Sequence, residues 1–484
     1  MTKFEPTLAS LNEHKVPKWY DDAKFGIFIH WGMWAIPSFA ASSGSIGEVF
    51  AKEYDIAVAQ TPYTEWYANA IKVPESDSAK YHKEVWKDAP YEDFRAPFLK
   101  GLEQWDPKAW AKLFKQSGAK YVVLVTKHHD GYSLWPTGVK HPYKDGWHTE
   151  RDIVGELGAA VRAEGLEYGL YYSGGIDWSF NTEPLRTLGD FVGSVPGGKY
   201  PDYATAQVKE LVEKYKPAIL WNDISWPTSL DDMAKVFAHY YNTVPDGVTN
   251  DRWMPQTWKT KLMRLKWVRA RFDKKVKAYM QNNPVRKGVI PQEPPHYDFR
   301  TPEYMRFDDI QTRKWEATRG MSHSFGYNHR DRDEDYLSVN ELVHDFVDAV
   351  SKNGNLLLNV GPRGTDAQIP PEQSSRLEAF GKWMAVNGEA IYGTRPWIRA
   401  EGVTADHLPV RFTAKGKGLN AIVMGQPSGS DVTLCDIRPA DDATLTLLGH
   451  GTVQWRQAGH DVVITMPMLI DTPAFTISIS RISL

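Results

Sequence analysis

Residues 106–131 read DPKAWAKLFKQSGAKYVVLVTKHHDG, and they hold one complete unit of the pattern on which the fold rests. Asp106 can accept from the free amides that open a helix. Pro107 carries the fixed φ that suits the first helical position, and Gly118 stands where the helix ends. Tyr121, Val122, Val123, Leu124, Val125 and Thr126 then form an unbroken run of strand-forming residues, as in a parallel-sheet strand buried on both faces. The run ends in four polar side chains, Lys127, His128, His129 and Asp130.

The same unit recurs on both sides. Residues 24–32, KFGIFIHWG, are a short apolar run ending in polar residues and glycine. A helix over 151–164 precedes a strand over 168–173. A helix over 203–216 leads into a strand over 218–223, and a helix over 229–242 follows. Ser338 and Glu341 have the spacing of a capping box and open a helix over 338–352, ahead of a buried strand over 355–362. Repeated strand–helix units with buried strands imply a parallel sheet covered by helices. With this many units the expected closure is a (β/α)8-like barrel, which occupies roughly 250 residues or more. From residue 395 the helical pattern stops. Short strands such as 431–435 and 461–465 are separated by Gly, Pro, Asn and Asp, the pattern of a β-sandwich. The expected division of the 484 residues is a barrel over 1–394 and a C-terminal β-sandwich over 395–484.

Composition narrows the function. Hydrophobic residues at 42% and charged residues at 24% suit a globular core. The net charge of −3 gives no global field for nucleic acid, and no stretch reaches the roughly 20 apolar residues that span a bilayer. The reading therefore expects no nucleic-acid partner and no membrane, and leaves a homo-oligomer open. The N-terminus has no apolar run of the signal-peptide kind, so a cytoplasmic protein is expected. Cys435 is the single cysteine, which excludes an intramolecular disulfide and a cysteine-based zinc site. The chain holds 19 Trp. Aromatic faces suit the C–H faces of sugars, but large folds also use Trp in their cores.

The strand ends are conspicuously polar: His30, then Lys127 to Asp130, then Ser173 and Asp177, then Trp221, Asn222 and Asp223. In barrels the chemistry sits at those ends. Alternation puts Phe28 with His30 on one face and Trp221 with Asp223 on one face. Asp223 is thus a nucleophile candidate, although an Asp there is as often a helix cap or half of a salt bridge. His128 and His129 can enter one pocket only if their strand breaks at them. A metal-dependent barrel hydrolase would want His-x-His on the first strand, and His30 stands alone. The reading expects neither metal nor organic cofactor, and gives the histidines to hydrogen bonding.

The segments KFGIFIHWG (24–32), KHHDG (127–131), LWND (220–223) and the region from LLLNVGP (356–362) to EAIYGTRPW (389–397) together resemble glycoside hydrolase family 29, the α-L-fucosidases. The resemblance runs from Trp19 to the last β-strands, with the motifs in the family's order. It implies a fucosylated oligosaccharide or glycoconjugate as substrate, exo-action, and a retaining mechanism through a covalent glycosyl intermediate on Asp223. The segment HYDFRTPEY (296–304) puts the general acid/base at Glu303, with Glu65 and Glu316 as rivals. His30, Glu65, Trp66, His128, His129, Tyr171 and Trp221 fall at pocket positions, with Tyr172 the alternative to Tyr171. Arg252 falls beside the reacting carboxylates. Phe28 and Phe325 would wall the sugar's methyl group. An enzyme for α-L-galactosides and a non-catalytic fucose-binding protein are the alternatives.

Residues 254–292 are the main departure from the family. WKTKLMRLKWVRARFDKKVKAYM (258–280) is a strongly basic helical insertion with apolar residues interleaved. Such a run is more often one solvated helix face with an apolar stripe docked on its own protein than a nucleic-acid or membrane surface.

Overall fold

A computed structural model describes residues 3–41, 44–283, 288–467 and 472–483. Seven parallel strands form a curled sheet: β1 (Phe25–Ile29), β2 (Tyr121–Lys127), β3 (Glu167–Ser173), β4 (Ile219–Asp223), β5 (Val248–Thr249), β6 (Trp315–Gly320) and β7 (Gly354–Val360). Their order is β5-β4-β3-β2-β1-β7-β6. Helices cover the outside, so β1, β2, β4 and β7 are buried throughout, as their unbroken apolar runs require. The curl is joined edge to edge by residues 298–304. Asn250 bridges Phe299 beyond β5, while Arg300 and Glu303 bridge Trp315 and Thr318 of β6, all in parallel sense. The helix Pro107–Gln116 has Asp106 accepting from the amides of Lys108 and Ala109, as its sequence anticipates. The capping box of Ser338 and Glu341 opens the helix Val339–Ser351.

The sequence reading passed over β6, because WEATRG lacks a strand's apolar pattern. Glu316 is nevertheless buried at the barrel floor, accepting hydrogen bonds from Tyr20 Oη (2.9 Å), Tyr121 Oη (2.6 Å) and Trp221 Nε1 (3.3 Å). The Tyr121 ring reaches that floor only because residue 26 is glycine, where a Cβ would stand 2.1 Å from the ring.

Among the described residues nine antiparallel strands follow, beginning with β8 (Arg395–Val403), in a six-stranded and a three-stranded sheet. Val410, Phe412, Leu419, Val432, Ile464 and Ile477 are among the side chains packed between them. The β unit is tied to the barrel: Arg411 meets Asp348 of the helix Val339–Ser351 at 2.6 Å, and Trp383 Nε1 donates to the Ala474 carbonyl.

The basic insertion forms the helices Trp258–Leu262 and Lys266–Gln281. Val268, Phe272, Val276 and Met280, spaced four apart, are half-buried, while Trp258, Leu262, Leu265, Trp267 and Tyr279 stand exposed. The expected docked stripe is therefore present but holds only part of the apolar residues. Polar contacts complete the docking. Asp273 accepts from Tyr54 Oη, Thr187 Oγ1 and the Gly189 amide, and Lys277 meets Asp55 at 2.8 Å. Among the described residues no helix is long and apolar enough to cross a membrane.

Candidate active site

The C-terminal ends of the strands converge on one cavity of about 130 Å³. Its lining includes all twelve residues that the family resemblance assigns to the site: Phe28, His30, Glu65, Trp66, His128, His129, Tyr171, Trp221, Asp223, Arg252, Glu303 and Phe325. The volume is small beside the roughly 300–1,000 Å³ of clefts that hold larger ligands, and suits one small ring.

Strand geometry explains the convergence. Phe28 and His30 share a face, with ring centroids 4.5 Å apart. Tyr171 faces the cavity, whereas Tyr172 points outward and donates to Gln207. Beyond Lys127 the chain leaves the sheet and turns, Gly131 at φ 78° closing the turn on the His128 carbonyl, so both His128 and His129 reach the cavity. Lys127 and Asp177 do not line it. They form a buried pair at 2.6 Å that braces the loop. At Gly174 and Gly175 an added Cβ would lie 2.2 Å from Asn222 Oδ1 and 2.6 Å from the Ser225 amide, so two glycines let the β3 loop nest against the turn after Asp223.

Arg252 organises the polar centre. Its Nη1 donates to Asp223 Oδ1 (3.0 Å) and its Nη2 to Glu303 Oε2 (2.9 Å), while Trp221 lies 4.9 Å below the guanidinium. Each carboxylate also takes one tyrosine hydroxyl: Tyr171 donates to Asp223 Oδ2 (2.8 Å) and Tyr63 to Glu303 Oε1 (2.9 Å). Burial, then the adjacent carboxylate, holds both phenols well above their ordinary range, so they remain donors. Asp223 Oδ1 further accepts from the Ile224 amide at 2.9 Å. Ile224 makes that contact with φ at 72°, a left-handed conformation rare for a β-branched residue.

The histidines are neutral and their tautomers follow from their partners. Burial lowers His30 and His129 to about 3 and His128 well below the imidazole range. Asn359 commits its amide N–H to the Phe325 carbonyl, so its Oδ1 faces His30 Nδ1 at 2.6 Å as acceptor. Ser173 commits its hydroxyl proton to the Ile176 carbonyl and accepts from His129 Nδ1 at 2.7 Å. Both imidazoles thus keep Nε2 as an acceptor, that of His129 lying 3.8 Å from Asp223 Oδ2. Among the described residues His128 Nδ1, buried, has no hydrogen-bond partner. Glu65 accepts from the Gly326 amide at 2.9 Å, and burial pushes its carboxyl up to about 8, so it is protonated and able to donate at neutral pH. Among the described residues no cluster of three or more His, Cys, Asp or Glu is placed to hold a metal.

Glu316, one rival for the acid, lies outside this cavity on the barrel floor, beneath Trp221. Residues that sequence reasoning did not single out also line the cavity: Tyr63, Ile46, Phe191, Ile224, Val289 and Thr318. Ile224 follows directly on LWND and Tyr63 stands two residues before Glu65, so both could have been found there. The others arrive from distant segments and carry no local signal.

With that geometry, similarity to known proteins becomes informative. A family profile described as alpha-L-fucosidase matches residues 1–389. The α-L-fucosidase of Branchiostoma floridae is 32% identical over 96% of this chain and 92% of its own. The tissue α-L-fucosidase of Bos taurus is 29% identical over 96% and 88%. The crystal structure of Thermotoga maritima α-fucosidase superposes with a TM-score of 0.80 at 39% identity, covering 98% of this chain and all of that one. The same enzyme in complex with a mechanism-based inhibitor superposes at 0.81 with 38% identity, covering 99% of this chain and all of that one.

Proposed function

This chain belongs to the α-L-fucosidase family of glycoside hydrolases, and from that premise we propose that it is an exo-acting, retaining α-L-fucosidase with Asp223 as nucleophile and Glu303 as acid and then base. The observation that carries the reading is Arg252, whose single guanidinium spans both carboxylates. One guanidinium bridging both carboxyls turns them towards one pocket, as direct attack needs; the separation for direct attack is roughly 5–5.5 Å, against the roughly 6.5–9.5 Å that admits an intervening water.

The steps follow from the donors. Asp223 Oδ1 is held by Arg252 and the Ile224 amide, which leaves Oδ2, with one hydrogen bond from Tyr171 and His129 Nε2 3.8 Å away, the freer oxygen for attack on the anomeric carbon. Glu303 gives its proton to the departing oxygen as the C–O bond breaks. It then takes a proton from the water that cleaves the fucosyl–Asp223 ester. His30 and His129 accept from sugar hydroxyls, and Glu65 donates to one. Phe28 and Phe325 offer an apolar wall to a 6-deoxy sugar, rewarding its methyl by about 1 kcal/mol. The substrates are fucosylated oligosaccharides or glycoconjugates.

The test is proton NMR of the first product formed from 4-nitrophenyl α-L-fucoside. α-L-Fucose is expected before mutarotation, and β-L-fucose first would overturn retention. Faster hydrolysis of the matching α-L-galactoside would overturn the choice of sugar, and binding without turnover would make the protein a lectin. Release of free fucose from a set of fucosylated oligosaccharides then defines the natural linkage.

A further inference from the structure

The cavity's lining changes character from its buried to its exposed side chains. His30, His128, His129, Tyr171 and Glu65 are all buried. At its mouth stand Ile46, Phe191, Ile224 and Val289, the first three half-buried and Val289 40% exposed. None has a polar side-chain atom. Ile46, Phe191 and Ile224 pack against the apolar cluster that contains Tyr63, Trp66 and Phe325. Val289 is fastened to Glu303 itself by two backbone hydrogen bonds, of 2.9 and 2.8 Å. The insertion helix Lys266–Gln281 packs on the two short helices that carry Ile46 and Phe191.

Ile224 is the informative member. Its positive φ would suit glycine, and it turns the amide onto Asp223, which glycine would do as well. A β-branched residue kept in such a conformation points to a use for its side chain. We propose that Ile224, with Ile46, Phe191 and Val289, forms a leaving-group subsite that selects fucosides whose aglycone offers an uncharged, apolar face, an aryl ring or the C–H face of a second sugar. The proposal rests on the fucosidase reading. With one ring filling the cavity, the departing oxygen lies at Glu303, and whatever is bonded to it meets this collar.

Two variants, Ile224→Gly and Phe191→Ala, are compared with wild type on two substrates. One is 4-nitrophenyl α-L-fucoside. The other is α-L-fucosyl fluoride, whose leaving group is a single atom and cannot reach the collar. The expected result is that the ratio of kcat/KM, aryl over fluoride, falls about tenfold in each variant, mainly through KM. Ile224→Gly should melt no lower than wild type. Equal losses on both substrates in both variants, or no loss in either, would overturn the proposal. If wild type turns over neither substrate, the fucosidase reading has failed instead.

Discussion

Arg252 joins two carboxylates, and a different tyrosine donates to each. Asp223 is held by Arg252, Tyr171 and the Ile224 amide, while Glu303 has Arg252 and Tyr63. Asp223→Ala should lose roughly 10³-fold or more in turnover without unfolding. Azide should restore part of it, because a small anion can attack from the vacated space. A variant that keeps a tenth of wild-type turnover would remove Asp223 from the nucleophile's role. Glu303→Ala should slow fucosides with poor leaving groups far more than activated aryl fucosides, since only the former need a proton. Tyr63→Phe should be a milder copy, about tenfold on poor leaving groups, because the acid would be held by Arg252 alone. Glu65→Ala should hurt both classes alike, as loss of a sugar contact is indifferent to the leaving group. Kinetics across a leaving-group series decides among these, and a leaving-group dependence in Glu65→Ala but not in Glu303→Ala would move the acid to Glu65.

Among elements, the turn after β4 and the insertion shape the mouth of the site. A left-handed β-branched residue such as Ile224 costs about 1–3 kcal/mol, which the packed loop of Gly174 and Gly175 must sustain. In the insertion helix Lys266–Gln281, Asp273 accepts three hydrogen bonds from the segments the helix covers. Asp273→Ala leaves those donors unmatched, at a local cost of about 1–3 kcal/mol. Because the helix has no fully buried side chain among those described, the loss should appear as local opening rather than global unfolding. Trypsin should cut the Lys- and Arg-rich stretch 258–281 several times faster than in wild type, with the melting temperature little changed. An unchanged cleavage rate would show that the apolar stripe, with the Lys277–Asp55 and Arg269–Asp190 pairs, holds the helix without Asp273.

At the scale of the molecule, buried ionisable groups make stability depend on pH from both sides. Burial raises Glu65 to about 8 and Glu316 to about 7 from an ordinary 4.5. Their contribution is fully present below pH 4.5 and is lost as pH rises through 7 to 8. Burial lowers His30 and His129 to about 3 from 6.5, so their contribution is present above pH 6.5 and lost as pH falls towards 3. The melting temperature should therefore peak on the mildly acidic side of neutral. Glu316→Gln keeps the shape of the floor but removes up to about 3 kcal/mol of pH dependence. Thermal melts between pH 5 and 9 should show a shallower alkaline decline in this variant. A slope equal to wild type would mean that Glu316 does not titrate in that range.

The repeating helix and strand units, the helix caps and the polar strand ends were legible in the sequence because each depends on neighbours in the chain. Two-residue alternation alone pairs Phe28 with His30 and Trp221 with Asp223. Most of the 19 Trp said less than their number suggested: Trp31, Trp34, Trp135, Trp226, Trp253 and Trp315 are fully buried, and only Trp66 and Trp221 line the cavity. β6 escaped notice because its inward carboxylate is satisfied by two tyrosines and a tryptophan from three other elements. The meeting of Asp223 with Glu303 was decided only in three dimensions, by residues 298–304 closing the curl of the sheet and by Arg252 joining the two sides. So was the apolar mouth, whose four side chains come from four separate segments. Periodicity and capping are local properties that a sequence carries in plain order. Which distant segments touch is set by how the whole chain buries its apolar surface and satisfies its hydrogen bonds, and that is a property of the folded molecule.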